Sequence, residues 1–259
     1  WSHTPYPLTY GNAYIHTFRM NGLNNTRGFT FTLTAGSIPP ELTLDPSGVL
    51  TGTPTAVASY PNLAVTASNG VDSATQIFTL TISPARLDVA LDPITRTYGA
   101  ANPALTYTIS GLMLGDSPAE ALTGTPLTWG LADSPVGSYA IFQGSLAATS
   151  NYNLMVRDSM LTITPAPLTI TANDLTRPFG QANPPFTAQI SGLVLGEDTS
   201  VFSSPLTFST PATISSPVGS YPITPGGASA ANYAITFVPG TLTITSATHT
   251  LFLPLVARP

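Results

Sequence analysis

Apolar and polar residues alternate in short runs along most of this chain, and alternation at a period of two over about four to eight residues predicts half-buried β-strands. In the first third such runs fall at 13–18, 29–34, 63–67 and 76–82, rich in Thr, Val, Ile, Phe and Tyr. Turn-forming groups separate them, notably Asn21-Gly22, Asp45-Pro46-Ser47-Gly48 and Asn69-Gly70. Short strands punctuated in this way predict a β-sandwich. The pattern resumes at Leu87-Asp88-Val89-Ala90-Leu91 and persists to Leu242-Thr243-Ile244-Thr245, so the whole chain is expected to be all-β.

The later part is written twice. Thr95-Arg96-Thr97-Tyr98-Gly99-Ala100-Ala101-Asn102-Pro103 returns as Thr176-Arg177-Pro178-Phe179-Gly180-Gln181-Ala182-Asn183-Pro184. Ile109-Ser110-Gly111-Leu112 returns at Ile190, and Ser134-Pro135-Val136-Gly137-Ser138-Tyr139 at Ser216. The offset is 81, becomes 82 at Ser134, and settles back to 81 at Asn151-Tyr152 and Asn232-Tyr233. One residue gained and one lost in loops, with strand ends held in step, is how a duplicated domain drifts. A period of about 80 residues is a small domain, not a solenoid unit. The expected layout is therefore 1–83, 84–165 and 166–246, followed by a segment at 247–259. Only Ser83-Pro84-Ala85 and Thr164-Pro165-Ala166-Pro167 join the domains, and proline stiffens such joints.

Two resemblances follow from these motifs. Ile38-Pro39-Pro40-Glu41-Leu42-Thr43-Leu44-Asp45-Pro46-Ser47-Gly48-Val49-Leu50-Thr51-Gly52-Thr53-Pro54 resembles the hallmark of a bacterial Ig-like (cadherin-like) domain, with Glu41 where that family usually has Gly. The duplicated pair resembles MBG domains of the Tyr-Gly-x type through its Thr-Arg-x-Tyr/Phe-Gly-x-x-Asn-Pro turn, Ser-Pro-Val-Gly-Ser-Tyr, Asn-Tyr and closing Leu-Thr-Ile-Thr. The resemblance implies tandem modules of secreted, repetitive bacterial surface proteins, with no activity attached. Each repeat is expected to be Ig-like or β-grasp-like with one short helix. In the first, Ser117-Pro118-Ala119-Glu120 has the spacing of a capping box; in the second, Asp198 takes the cap. The aromatic of the Tyr-Gly turn is expected to plug the end of its own sandwich.

Only 7% of residues are charged, all basic positions are Arg, and the net charge is −5. That composition offers no basic cluster for nucleic acid or an anionic membrane. With no Cys there are neither disulfides nor thiolate metal sites. No apolar run reaches the ~18 residues of a membrane span. The chain begins at Trp1, as a processed or trimmed product would, and export to the cell surface is expected.

Candidate chemistry is sparse. Calcium needs clustered oxygens, whereas Asp45 and Asp72 stand apart, and Asp45 is expected to open a turn. His3, His16 and His249 are far apart in sequence, and Glu197-Asp198 reads as a capping position. Trp1 and Trp129 are expected to pack in a core or interface. No cofactor is expected, and the chain reads as non-enzymatic. Asn24-Asn25-Thr26 makes Asn24 a candidate glycosylation acceptor.

The remaining feature is the C-terminal segment, where Leu251, Phe252, Leu253, Leu255 and Val256 form an apolar β-prone strand too costly to leave in water. This strand is expected to insert into a neighbouring copy, the donor-strand mode, making the chain a secreted filament subunit assembled head-to-tail. The competing readings of the segment are that it folds back on its own last domain or is a C-terminal sorting signal, or that it touches a membrane. The alternative is an adhesin or stalk segment that binds a glycan or protein ligand.

Overall fold

The computed structural model describes residues 1, 3–20 and 28–246, so the expectations placed on Asn24 and on Leu251–Val256 lie outside the described residues. Nearly every element is a strand. In the first domain they are β1 (Leu8–Thr9), β2 (Tyr14–Thr17), β3 (Thr30–Ala35), β4 (Leu42–Leu44), β5 (Val49–Gly52), β6 (Ala58–Ser68) and β7 (Ser73–Ser83). The first repeat holds β8 (Ala85–Leu91), β9 (Ile94–Thr97), β10 (Tyr107–Ser110), α1 (Pro118–Ala121), β11 (Leu122–Thr123), β12 (Leu127–Thr128), β13 (Gly137–Phe142), β14 (Ala147–Ala148), β15 (Tyr152–Arg157) and β16 (Ser159–Thr164). The second holds β17 (Ala166–Ala172), β18 (Leu175–Pro178), β19 (Ala188–Ser191), β20 (Thr207–Ser209), β21 (Gly219–Gly226), β22 (Tyr233–Val238) and β23 (Gly240–Thr245).

Chain contacts divide the molecule into two compact units that cut across the repeat. One comprises Trp1–Pro93, Ala104–Trp129 and Ala140–Met160; the other comprises Ile94–Pro103, Gly130–Tyr139 and Leu161–Pro259.

In the first unit the opening domain is a two-sheet sandwich, β1-β7-β6-β3 against β2-β5-β4. Phe18, Leu50, Leu63, Leu80 and Ile82 are the largest of its fully buried side chains among the described residues, and burying each is worth about 1.5–3 kcal/mol. As expected, Asp45 opens a turn: its Oδ1 accepts from the Ser47 N–H at 2.7 Å. The same unit holds the sheet β10-β8-β15, in which β8 buries Ala85, Leu87, Val89 and Leu91 in strict alternation. Glu120 reaches back to the Ser117 N–H at 2.8 Å and caps α1 as its spacing predicts.

The second unit contains the whole second repeat, a sandwich of β19-β17-β22 and β18-β23-β21-β20. β17 repeats the burial of β8 with Ala166, Leu168, Ile170 and Ala172. Two parallel pairings, β17 with β22 and β18 with β23, mark the repeat. Two facing sheets with no long helix across either make a sandwich and not a β-grasp. The expected helix is here only a 3₁₀ turn, Thr199–Val201, capped by Asp198 Oδ1 on the Ser200 N–H at 2.8 Å.

The Thr-Arg-x-x-Gly-x-x-Asn turn owes its spacing to a buried guanidinium. Arg177 is 3% exposed and donates to Asn183 Oδ1 at 2.7 Å, to the Thr213 carbonyl at 2.6 Å and to the Pro178 carbonyl at 3.2 Å. Asn183 in turn donates to the Ala212 carbonyl at 2.8 Å. Arg96 and Asn102 repeat the clamp on the Leu131, Thr97 and Gly130 carbonyls. A fork of five fixed donors can satisfy several neutral acceptors at once, which lysine cannot.

Candidate functional site

The best-defined polar constellation in each unit is a joint between consecutive domains. In the first unit, Tyr10 of the opening domain is buried with its ring edge-on to Tyr152 of the first repeat, centroids 5.3 Å apart. Both phenols donate to one carboxylate oxygen, Asp116 Oδ2, at 2.7 and 2.6 Å. The Met113 N–H donates to the Tyr152 hydroxyl at 2.9 Å, and the Val57 N–H donates to Asn151 Oδ1 at 3.2 Å. Gly11 sits flat on Met113, where a Cβ would overlap that side chain.

The second unit builds the same joint again. Tyr98 of the first repeat lies edge-on to Tyr233 of the second at 5.7 Å and donates to Glu197 Oε1 at 2.8 Å. Tyr233 donates to Glu197 Oε2 and accepts from the Val194 N–H at 3.1 Å. The Val136 N–H donates to Asn232 Oδ1 at 3.0 Å, and Gly99 rests on Val194. Aspartate in one joint and glutamate in the other reach the same pair of phenols.

The acid is delivered by a strained turn. Asp116 N–H donates to the Met113 carbonyl and Glu197 N–H to the Val194 carbonyl, closing four-residue turns. Leu114 and Leu195, each followed by a left-handed glycine, have φ of 55° and 57°. A branched side chain in that region costs about 1–2 kcal/mol. That both copies keep the strain ties it to the joint.

Electrostatics follow from the hydrogen bonds. Phenols donated by Tyr152 and Tyr10 hold Asp116 below the usual carboxylate range. Burial, then the bond to Asp116, pushes Tyr10 up to about 12. The bond to Glu197, then burial, raises Tyr98. In the first joint Asp116 therefore stays an anionic acceptor to lower pH, and Tyr10 a neutral donor to higher pH, than either group would alone.

Several residues lie elsewhere than their sequence suggests. Tyr98 does not plug its own sandwich, since it is buried against the next repeat, while Phe179 is 46% exposed. Asp198 caps as expected, but Glu197 belongs to the joint. His3 and His16 meet, ring centroids 5.0 Å apart, although far apart in sequence. His16 is buried with Nε2 unpartnered, and burial, then His3, lowers its pKa. Among the described residues no group of three or more metal-ligating side chains occurs. Trp1 packs edge-on to Phe18 and Phe31, whereas Trp129 is 67% exposed against Phe142 and is not core.

A hollow of about 640 Å³ lies on the β10-β8-β15 sheet, lined by Arg86, Asp88, Ser110, Met155 and Arg157 among others. Its Arg86–Asp88 ion pair, 2.6 Å, is exposed.

Fold and joints together define a tandem array of β-sandwich modules. Residues 87–162 and 168–243 each match the family described as MBG domain (YGX type), and residues 2–83 match the family described as "Putative Ig domain". The two MBG matches take in more than half of the chain, which therefore belongs to the MBG (YGX-type) family, with an Ig-family domain ahead of the two copies. No curated protein matches the chain. Among solved structures it is similar, at 10% identity, to Drosophila N-cadherin EC1-3, covering 95% of this chain and 99% of that one with a TM-score of 0.31. Immunoglobulin domains 1–4 of Sidekick-1 are 14% identical over 93% and 73% of the two chains, with a TM-score of 0.28. Scores of this size do not establish a shared overall fold. No helix among the described residues is long and apolar enough to cross a membrane.

Proposed function

We propose that the chain is a non-enzymatic structural segment of an extracellular bacterial surface protein, a spacer whose modules are held to one another by built joints. The observation that carries this reading is the double occurrence of one contact set: two phenols on one carboxylate, a glycine on an aliphatic side chain, and an amide on an asparagine. A flexible string of modules has no use for a strained, repeated joint. Backbone NMR relaxation tests it: the strand amides of the opening domain and both repeats are expected to report one common tumbling time. Separate tumbling times for the three would refute the spacer.

A second reading makes the chain a filament subunit, with Leu251–Val256 added as a strand to a neighbour's opening domain. One feature of the opening domain favours it. β7 has eleven residues, yet β1 covers only Ile82 and Ser83. Ser73–Thr81 thus has no strand partner on that side among the described residues, and an open edge recruits strands. Deleting Leu251–Pro259 should then abolish sedimenting polymer; material that is monomeric with the segment intact sinks this reading.

A further inference from the structure

The second repeat carries the donor half of a third joint. Phe179-Gly180 stands where Tyr98-Gly99 stands in the first repeat, and Val218 where Val136 stands. Tyr98 is 5% exposed, but Phe179 is 46% and Val218 58% exposed. A Cβ on Gly180 would meet nothing, in contrast to the overlaps at Gly11 and Gly99. Among the described residues nothing takes the place of Asn232 in accepting from the Val218 amide. Nothing among the described residues packs on this face as the next module does on Gly11 and Gly99.

Strand register shows what lies nearest to it. Pro178 pairs with Thr245 and Gly219 with Ile244, so Phe179 and Val218 flank the end of β23 on its two sides. The Phe179 N–H donates to the Thr245 carbonyl at 2.8 Å. The chain thus leaves the repeat between the two exposed apolar side chains. In both existing joints the face is covered by the part of the chain that follows its domain, Met113 on Gly11 and Val194 on Gly99.

We infer that Leu251–Val256 of the same chain covers this face, packing on Phe179 and Val218. The chemistry of the face selects this occupant over another acid-bearing module. Phe179 lacks the hydroxyl that Tyr10 and Tyr98 give to a carboxylate, and residues 246–259 contain no carboxylate side chain to receive one. Ser246–Thr250, extended at about 3.3 Å per residue, reaches roughly 16 Å, enough to turn back over the end of the sheet. Covalent attachment supplies an effective concentration in the millimolar range, so a small apolar contact suffices.

The chain has no cysteine, so Val218→Cys gives a single reporter thiol. Its reaction with a soluble disulfide reagent should be at least tenfold slower in the full chain than in the same variant lacking Leu251–Pro259, at every protein concentration. Leu253→Asp in the full-length reporter should release the thiol as truncation does. Equal rates with and without the segment overturn the inference. So does protection that grows with concentration, or that excess unmutated full chain restores to the truncated reporter, because either places the segment on a neighbour. Concentration-dependent hydrogen-exchange protection of Ser73–Thr81 would overturn it in favour of the filament. None of these failures touches the spacer reading, which stands or falls on the relaxation of the joints.

Discussion

Gly99 and Gly180 occupy the same turn in two copies, with φ of 76° and 82°, but only Gly99 is pressed against another module. Replacing each by alanine separates the turn from the joint. Both variants incur the left-handed penalty, about 1–2 kcal/mol. Gly99→Ala also drives a methyl into Val194, and overpacking of that kind adds about 1–3 kcal/mol. The predicted destabilisation is therefore about 2–5 kcal/mol for Gly99→Ala and about 1–2 kcal/mol for Gly180→Ala. The comparison belongs in chains lacking Leu251–Pro259, so that nothing outside the repeat rests on Gly180. Several modules do not necessarily melt in one step, so the readout is native-state hydrogen exchange in β9 and β16 against β18 and β23. Equal losses for the two variants would refute the claim that Gly99 is a contact residue of a joint, leaving it only a turn residue.

Tyr98→Phe removes one donor from Glu197 while Tyr233 remains, and should cost about 1.5 kcal/mol by the same exchange measurement, the low end for a bond to a charged group because the carboxylate is only half-buried. In the chain lacking Leu251–Pro259, Phe179→Tyr, facing no acid, should change stability by less than about 0.5 kcal/mol. Because Asp116 is depressed in the folded state, its contribution is present above the ordinary carboxylate pKa and disappears as pH falls through its lower folded value. Because Tyr10 is raised, its contribution is present below about pH 10 and disappears as pH rises through about 12. Unfolding of the first unit followed against pH should therefore show a plateau with two falling limbs, and Asp116→Asn should shrink the acid limb, to which Asp45, Asp88 and Glu120, also depressed, still contribute. Arg177→Ala strips donors from the Thr213 and Pro178 carbonyls and from Asn183, and should cost about 2–4 kcal/mol in urea denaturation. Arg177→Lys should recover little of that, since an ammonium cannot fork.

Much of the fold was legible before any coordinates. Alternation placed β8 and β17, the doubled motifs marked the repeats, and Asp45, Ser117 and Asp198 did in the structure what their local spacing predicts. These features involve residues a few positions apart, so strand period, turn chemistry and capping suffice. The candidate site was not legible in this way. Tyr10 and Asp116 are separated by 106 positions and Tyr98 and Glu197 by 99, and neither acid looks like anything but a loop or cap residue from its neighbours. A signal was nonetheless present. Tyr10-Gly11 stands in a domain of another family yet matches Tyr98-Gly99, and Leu-Gly-Asp and Leu-Gly-Glu recur before each Asn-Tyr.

The sequence by itself determined an all-β chain, its doubling, and a sparse charge without lysine, because each follows from local period and composition. Only the tertiary structure decided that Glu197 serves a joint and not a helix cap, that Tyr98 is buried by the next repeat, and that no described module covers Phe179 and Val218. Hydrogen bonds reach about 3 Å. Which side chains come within that reach depends on how whole sandwiches dock, and no local pattern along the chain records it.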